Sequence, residues 1–214
     1  KGACLRGVDM SLALIDGVGD LRITLGSQPD FGIYDALNRG VRAARGRYYL
    51  VIGSDDHLRP DAVAGYLAAI TDSGDADVIT ADVMIDGRRF RARGGSSSAS
   101  AVRGIDTLIS SHSVGAIFRR DLHDRVGYYS RKLPICADQL FVYQAEKAGA
   151  RFHRADFVAG EFTLDGTSAR DALGMITETC RAKIMAGGSV WLQSLILILR
   201  LLKHQRLIRR QLAR

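Results

Sequence analysis

Short apolar runs alternate along the chain with segments in which apolar residues recur at helical spacing. The apolar runs predict strands at five positions: 12–15, 21–25, 49–53, 77–84 and 113–118. The helical spacing predicts helices at four positions: 40–44, 61–71, 105–110 and 138–148. Two or three further helices are predicted after residue 170. This alternation predicts an α/β fold, in which a sheet is flanked by helices.

Turn-forming residues predict two connections within this pattern. Asp86-Gly87 follows the strand at 77–84, and residues 88–91 are expected to pair back onto it. The segment 93–99 is rich in Gly and Ser and is expected to form a flexible loop.

The strand predicted from Tyr48 to Gly53 ends in two adjacent carboxylates, Asp55 and Asp56. Its nearly continuous apolar character is typical of a parallel strand buried on both faces, and such strands present ligand sites at their carboxyl ends. Two neighbouring carboxylates repel each other, which favours a bound cation. Oxygen ligands suit Mg²⁺ or Mn²⁺, and either ion usually also binds substrate phosphates. The alternative is a plain Ser-Asp-Asp turn before the helix that starts near Pro60.

Composition adds few constraints to this picture. A chain of 214 residues that is 47% apolar can bury a core as one large or two small domains. The three cysteines (Cys4, Cys136 and Cys180) are widely spaced, which favours reduced cytosolic thiols over a disulfide framework or a zinc site.

The net charge of +7 is concentrated near the end of the chain. Residues 181–214 hold eight of the 30 Lys and Arg residues and no acidic residue, so the remainder is close to neutral. This distribution argues against a nucleic-acid partner, which requires a basic face on the folded domain.

The segment 189–214 joins an apolar run to a cluster of basic residues. The run is about thirteen residues long, short of the roughly twenty that span a bilayer. Trp191 lies near its start, and an apolar stripe is predicted at four positions: Leu197, Leu201, Ile208 and Leu212. A basic amphipathic helix of this kind is predicted to lie on an anionic membrane surface. The alternative is a helix that packs on its own domain or on a partner subunit.

The motif S-Q-P-D-F-G-I-Y-D-A-L-N-R-G at 27–40, followed by a helix and by the strand ending in Asp-Asp, resembles family-2 glycosyltransferases of the GT-A fold. The resemblance implies a Rossmann-like sheet with flanking helices that binds a nucleotide-sugar donor. It implies that Asp56, with Asp55, holds the Mg²⁺ or Mn²⁺. It places four residues at the nucleotide-sugar: Asp16, Asp35, Asn38 and Asp55. Gly53 stands where many members have Asp or Asn, which leaves one fewer metal ligand.

A second block, at 112–122, 126–129 and 135–141, resembles the acceptor half of the same enzymes. Asp138 matches the carboxylate that acts as the base in inverting members, and His112 is placed on the acceptor side. The alternatives are an acidic residue that stabilises a helix start and a structural histidine. Three later segments resemble the closing strand pair and loop of the family: 149–152, 157–162 and 165–168.

The start of the chain departs from the family pattern, because no strand with a P-[TS]-[YF]-N motif precedes residues 12–15. The link at 18–20 is also too short for a parallel crossover. We therefore expect an N-terminally truncated or divergent GT-A catalytic domain at 1–170. A C-terminal helical, basic, membrane-associating tail is expected at 171–214.

These features together predict a metal-dependent glycosyltransferase that moves a sugar from a nucleotide-diphosphate sugar to an acceptor hydroxyl with inversion. The acceptor is expected to be a glycan or a lipid-linked molecule in cell-envelope or exopolysaccharide synthesis. The expected location is cytoplasmic, peripheral at the inner face of the cell membrane. The alternatives are a nucleotide-sugar-binding protein without turnover and a membrane-peripheral assembly protein.

Overall fold

The computed structural model describes residues 29–53, 56–91, 105, 108–109, 113–162 and 171–213. The first half of this part contains six elements: α1 (Ile33–Ala43), β1 (Tyr48–Leu50), β2 (His57–Leu58), α2 (Ala62–Asp72), β3 (Val78–Ile85) and β4 (Arg88–Phe90). The second half opens with the 3₁₀ turn Ser113–Gly115, which is followed by six more elements: β5 (Ala116–Arg119), α3 (Leu122–Val126), α4 (Ala137–Lys147), β6 (Phe152–Phe162), α5 (Ala172–Met185) and α6 (Val190–Leu212).

The strands form one mixed sheet in the order β1-β5-β3-β6-β2. β3 and β6 are parallel, and the other pairs are antiparallel. β5 covers only Val78–Thr80 on one edge of β3, and β4 pairs with the same edge at Val83–Ile85. The β3–β4 hairpin turns at Asp86-Gly87, as the sequence predicts.

Helices cover both faces of the sheet because neighbouring strand residues point to opposite sides. Val78 and Phe118 face a cluster that includes residues of α1, α3, α4 and α5. Ile79 and Ile117 face a smaller cluster that includes Tyr66 of α2. The sheet is therefore the middle layer of an α/β/α arrangement.

α5 belongs to the body of this domain, and α6 lies outside it. Ala182 of α5 is fully buried in the larger cluster. α6 packs along α5, and the N–H of Ala172 donates to the Gln211 side chain at 2.8 Å. α5 thus contributes to the same core as α4, and the predicted division at residue 170 stays a prediction.

Several predicted elements are confirmed, among them α2, β3 and α4. β1 differs from its prediction: its three residues are half-buried, and it pairs antiparallel with β5. The chain leaves the ladder after Leu50, so the apolar residues Val51 and Ile52 extend beyond the strand. Apolar character alone therefore overstated both the length and the burial of this strand.

The other differences concern element boundaries. α1 begins at Ile33, well before the predicted 40, and the strand predicted from Ser113 begins with a 3₁₀ turn. The predicted closing strand pair is one strand, Phe152–Phe162. Its pairing with β3 changes register between Thr80 and Val83, which accommodates extra residues in β6. The strands at 12–15 and 21–25, the loop at 93–99 and half of the helix at 105–110 lie outside the described residues.

Candidate active site

Three of the predicted site residues lie next to ends of elements: Asp56 directly before β2, Asp35 in the first turn of α1 and Asp138 in the first turn of α4. β1, β3 and β6 run in the same direction, because β5 is antiparallel to both β1 and β3. Their C-terminal ends therefore point in one direction, here called the carboxyl edge, with Leu50 level with Ile79 and β3 continuing to Ile85. β1 and β2 lie at opposite ends of the strand order, so the connection between Leu50 and His57 spans the sheet from one side to the other. Asp56 lies at the end of that crossing.

Close backbone approach allows β2 to pair with the end of β6. His57 and Leu58 are in register with Glu161 and Gly160. A side chain at position 160 would collide with the His57 carbonyl, so glycine is required there. His57 and Glu161 are thereby register partners next to Asp56, a pairing that the sequence analysis did not single out.

The carboxylate of Asp56 folds back onto the crossing. Its Oδ2 accepts a hydrogen bond from the Gly53 N–H at 2.7 Å, and the Asp56 N–H donates to the Gly53 carbonyl at 3.3 Å. A carboxylate has about four acceptor positions, so accepting from Gly53 is compatible with binding a cation. Within the described residues, no group of three or more His, Cys, Asp or Glu side chains is arranged to hold a metal. The donor type fits Mg²⁺ or Mn²⁺, and Asp55, the predicted second ligand, lies outside those residues.

Asp138 lies at the start of α4, toward the same edge. α4 has eleven residues, about 16 Å of helix, and its end leads directly into the start of β6 at the opposite edge. α1 likewise leads into the start of β1, so its first turn also lies toward the carboxyl edge. The two helix starts meet: the Tyr34 hydroxyl lies 2.9 Å from Asp138 Oδ1 and 2.7 Å from the Ile135 carbonyl oxygen.

The surroundings of Asp138 favour a role for its carboxylate as a proton acceptor. Protein packed around the start of α4 raises the pKa of the Asp138 carboxyl, although the residue itself is exposed. The hydrogen bonds from Tyr34 and from the Gln139 N–H, the latter at 2.8 Å, act in the opposite direction. A carboxylate with a raised pKa is a stronger base, which is the property that general base catalysis requires.

The Asp-x-Gly-x-x-Asp part of the first motif builds the start of α1. Asp30 accepts a hydrogen bond from the Gly32 N–H at 3.0 Å. Gly32 has φ 105°, a backbone conformation that side chains disfavour. Asp35 accepts from the Phe31 N–H at 3.3 Å and pairs with Arg39 at 2.6 Å. These contacts fix the first turn of the helix, and the predicted nucleotide-sugar contact of Asp35 stays a prediction.

Asn38 faces the protein interior. Its Nδ2 donates to the Tyr129 carbonyl at 2.8 Å, and its Oδ1 accepts from the Tyr129 N–H at 2.9 Å. The structure gives Asn38 a contact within the protein, and its predicted place on the nucleoside side stays a prediction. Asp16 and His112 lie outside the described residues.

Two residues that the sequence analysis did not assign contribute to the site. Tyr34 lies within the first motif, so its position was a usable signal, but nothing in the sequence pairs it with Asp138. Glu178 on α5 accepts hydrogen bonds from the N–H groups of Ile135 and Cys136 at 2.8 and 3.0 Å. No motif marks Glu178, because its role depends on how α5 packs against α4.

The sequence profile described as glycosyl transferase family 2 matches residues 8–146. This match covers more than half of the chain, and the chain therefore belongs to glycosyl transferase family 2. The α/β sheet with flanking helices agrees with the predicted GT-A fold.

Two named relatives come from mycobacteria. The chain is 30% identical over 121 residues to "PGL/p-HBAD biosynthesis glycosyltransferase" of Mycobacterium bovis (strain BCG), which covers 55% of this chain and 44% of that protein. The protein of the same name from Mycobacterium tuberculosis (strain H37Ra) matches with the same identity and coverage. The chain thus spans less than half the length of these curated relatives.

The solved structures that resemble this chain include S. aureus TarS 1-349. Its complex with UDP-GlcNAc superposes with a TM-score of 0.54 at 18% sequence identity, covering 86% of this chain and 56% of that one. A second TarS 1-349 crystal structure gives a TM-score of 0.52 at 19% identity, with coverage of 81% and 51%. At this identity the likeness establishes the fold.

None of the helices in the described part of the chain combines the length and the apolar character needed to cross a membrane.

Proposed function

We propose that this chain transfers a sugar from a nucleotide-diphosphate sugar to an acceptor hydroxyl. The observation that supports the proposal is the contact between Tyr34 of the first motif and Asp138 of the second, in a chain that belongs to a glycosyltransferase family. TarS was crystallised with UDP and with UDP-GlcNAc, so uridine diphosphate sugars are the first donors to test. The proposed acceptor is a glycan or lipid-linked hydroxyl in cell-envelope or exopolysaccharide synthesis.

In the proposed mechanism, Asp56 and Asp55 would hold Mg²⁺ or Mn²⁺. A metal held there would offset the negative charge that develops on the departing nucleoside diphosphate. The hydrogen bond from Gly53 orients the Asp56 carboxylate before ligand arrives.

Asp138 is the proposed base. It takes the proton of the acceptor hydroxyl while the hydroxyl oxygen forms a bond to the anomeric carbon of the donor sugar. The bond from that carbon to the diphosphate oxygen breaks, and the nucleoside diphosphate leaves with the electron pair. Attack from the side opposite the leaving group inverts the anomeric centre. Oδ2 is the oxygen suited to this step, since Oδ1 already accepts from Tyr34 and Gln139.

Release of nucleoside diphosphate from a panel of nucleotide-sugars, with Mn²⁺ and with a chelator, tests the proposal. Metal-dependent release from one donor class supports sugar transfer. Donor binding in a thermal-shift assay without any release, across acceptors that include glycans and lipid-linked sugars, would favour the nucleotide-sugar-binding alternative.

We also propose that α6 lies on an anionic membrane surface. Its side away from α5 exposes an apolar surface, here called the outer face: Trp191, Leu195, Ile198, Leu199 and Leu202. Trp191 is 87% exposed. The basic residues that follow on the helix are Lys203, Arg206, Arg209 and Arg210. An apolar face beside a basic cluster matches the hydrocarbon boundary and the negative headgroups of such a surface.

The outer face differs from the stripe that the sequence predicted. Leu197, Leu201 and Ile208 are half-buried on the side of α6 where Gln193 is buried and Gln211 bonds to α5, and the fourth predicted position, Leu212, is exposed. Binding to a membrane surface and packing on the domain are thus compatible for this helix, because one side packs on the domain while the other stays exposed.

The direction of α6 favours a membrane-bound acceptor. The Gln211–Ala172 contact places the basic end of α6 at the start of α5, the helix whose Glu178 contacts the turn before Asp138. Co-sedimentation with vesicles tests this placement: pelleting with anionic vesicles alone supports it, and equal behaviour with anionic and neutral vesicles contradicts it.

A further inference from the structure

We propose that Tyr34 and Glu178 are positioning residues, which hold the Ile135–Cys136 turn from two sides and thereby orient Asp138 toward the acceptor. This inference rests on the proposed role of Asp138 as the base. The two residues belong to α1 and α5, so the orientation of the base depends on helices that flank α4.

Tyr34 supplies the contact on the α1 side. Its single hydroxyl proton lies within reach of two acceptors, the Ile135 carbonyl at 2.7 Å and Asp138 Oδ1 at 2.9 Å. The ring is buried and tilted against Tyr129, at 5.8 Å between centroids, which limits its movement. Oδ1 also accepts from the Gln139 N–H, whereas none of the described residues donates a hydrogen bond to Oδ2. Tyr34 therefore fixes which carboxylate oxygen faces the substrate.

Glu178 supplies the contact on the α5 side. Its Oε2 accepts from the N–H groups of Ile135 and Cys136, the two residues immediately before α4. Main-chain N–H groups at a helix start have no partner within the helix, so a carboxylate from another helix satisfies them as a cap does. The Cys136 thiol is also in contact with α5, at 3.4 Å from the Met175 sulfur and 3.7 Å from the Thr179 hydroxyl. The turn is thus anchored to α5 through both its main chain and a side chain.

The two contacts have opposite electrostatic effects on Asp138. The hydrogen bond from Tyr34 lowers the pKa of the Asp138 carboxyl, and the negative charge of Glu178 raises it. The other titratable groups facing Asp138 are the Cys136 thiol and the Tyr129 hydroxyl, and both are neutral at pH 7 because burial raises their pKa values. Removal of the Tyr34 hydroxyl and removal of the Glu178 charge should therefore move the Asp138 pKa in opposite directions.

Titration of the Asp138 carboxyl carbon by NMR tests the proposal without requiring turnover. The signal is assigned by its loss in Asp138→Asn. Tyr34→Phe should move its midpoint to higher pH, and Glu178→Gln, which keeps an acceptor oxygen for both N–H groups, should move it to lower pH. Tyr48→Phe and Asp72→Asn are matched controls: Tyr48 donates to the Ala76 carbonyl at the opposite sheet edge, and Asp72 is exposed at the end of α2. Both controls should leave the midpoint unchanged.

Midpoints that do not move in either variant, or that move equally in the controls, would overturn the positioning roles. If one variant does not fold, the titration of the other decides, because each has its own expected direction. In the active enzyme, the acid limb of kcat/KM against pH should shift the same way, and Tyr34→Phe should lower kcat by about tenfold, the value of a hydrogen bond to a charged group. Opposite NMR shifts in a protein without turnover would support the contacts and contradict the proposed function instead.

Discussion

Asn38 and the main chain of Tyr129 are joined by two hydrogen bonds, at 2.8 and 2.9 Å. The side-chain amide of Asn38 exchanges hydrogen bonds with the Tyr129 main chain as a residue of a neighbouring strand would, although Asn38 lies in a helix. It ties α1 to the segment between α3 and α4, and α1 is the helix that brings Tyr34 to Asp138. The position of Asp138, the proposed base, therefore depends in part on a buried amide 100 residues earlier in the chain.

Asn38→Ala should destabilise the fold. The change leaves a buried N–H and C=O of Tyr129 without partners, which should lower the free energy of unfolding by roughly 2–4 kcal/mol. Thermal unfolding checks this, since each kcal/mol shifts the Tm of a chain of this size by about 2–4 °C. Gln205→Ala, at an exposed position on α6, is the control and should leave Tm unchanged. An Asn38 variant with normal Tm and lost nucleotide binding would instead support the nucleoside contact that the sequence predicts.

Asp56→Asn should abolish Mn²⁺-dependent binding of nucleoside diphosphates. Its amide oxygen can still accept from the Gly53 N–H, so stability without ligand should stay near normal, while the charge that attracts the cation is lost. In the parent, ligand at about 100 times Kd should add about 2.7 kcal/mol of stability. A thermal-shift panel of nucleoside diphosphates, with and without Mn²⁺, measures the difference. Asp61→Asn removes a neighbouring exposed carboxylate and should behave as the parent; an equal metal-dependent shift in Asp56→Asn would rule out its metal role.

The double variant Leu195→Gln, Leu202→Gln should lose binding to anionic vesicles with little change in Tm, because both side chains are exposed on the outer face of α6. Leu197→Ala, on the side that packs against α5, should lower Tm and keep vesicle binding. High salt should release the parent chain, since charges are screened over about 10 Å at 0.1 M and each basic residue near the surface contributes about 1 kcal/mol. Pelleting of the double variant to the same extent as the parent would contradict the membrane surface.

Stability should fall as pH decreases below about 6.5, the ordinary pKa of histidine, and His123 should account for part of that loss. Burial lowers the pKa of His123 in the folded protein. Its Nε2 lies 2.7 Å from the Tyr49 hydroxyl, and its Nδ1 lies 3.0 Å from the Gly127 carbonyl. The unfolded chain therefore binds a proton more readily, so stability is full above pH 6.5 and is lost as pH falls through the lowered pKa.

Tm measured between pH 5 and 8 in the parent and in His123→Phe checks this. The phenylalanine variant should have a lower Tm at neutral pH, because it loses both hydrogen bonds, and a shallower slope below pH 6.5. Parallel curves for the two proteins would show that His123 does not titrate with folding.

Local sequence signals predicted the elements that depend on local chemistry. α2, β3, its Asp-Gly hairpin and α4 follow from periodicity and turn residues, and the structure confirms them. β1 was overestimated because apolar residues beyond Leu50 look like strand, although the chain leaves β1 there and spans the sheet to β2. Strand length depends on the pairing partner, and the sequence does not contain that information locally.

In the candidate site too, residues in local motifs could be predicted, and contacts that depend on packing could not. Asp56 and Asp138 could be proposed from motifs, since both follow recognisable patterns. The contacts of Tyr34 and Glu178 could not, because they join residues about 100 and 40 positions apart through the packing of α1 and α5 on α4. The exposed side of α6 was also misassigned, since periodicity gives two apolar sides and only packing shows which one is covered.

The most direct test of the account compares turnover of nucleotide-sugar by the parent chain and by Asp138→Asn. The asparagine keeps the size of the side chain and an acceptor for Tyr34 and the Gln139 N–H, but it cannot take a proton from an acceptor hydroxyl. We predict that release of nucleoside diphosphate, measured with Mn²⁺ and acceptor present, falls by roughly two to four orders of magnitude while donor binding stays near normal. Equal release by the two proteins would contradict the role of Asp138 as the base and leave it as a residue of the helix start.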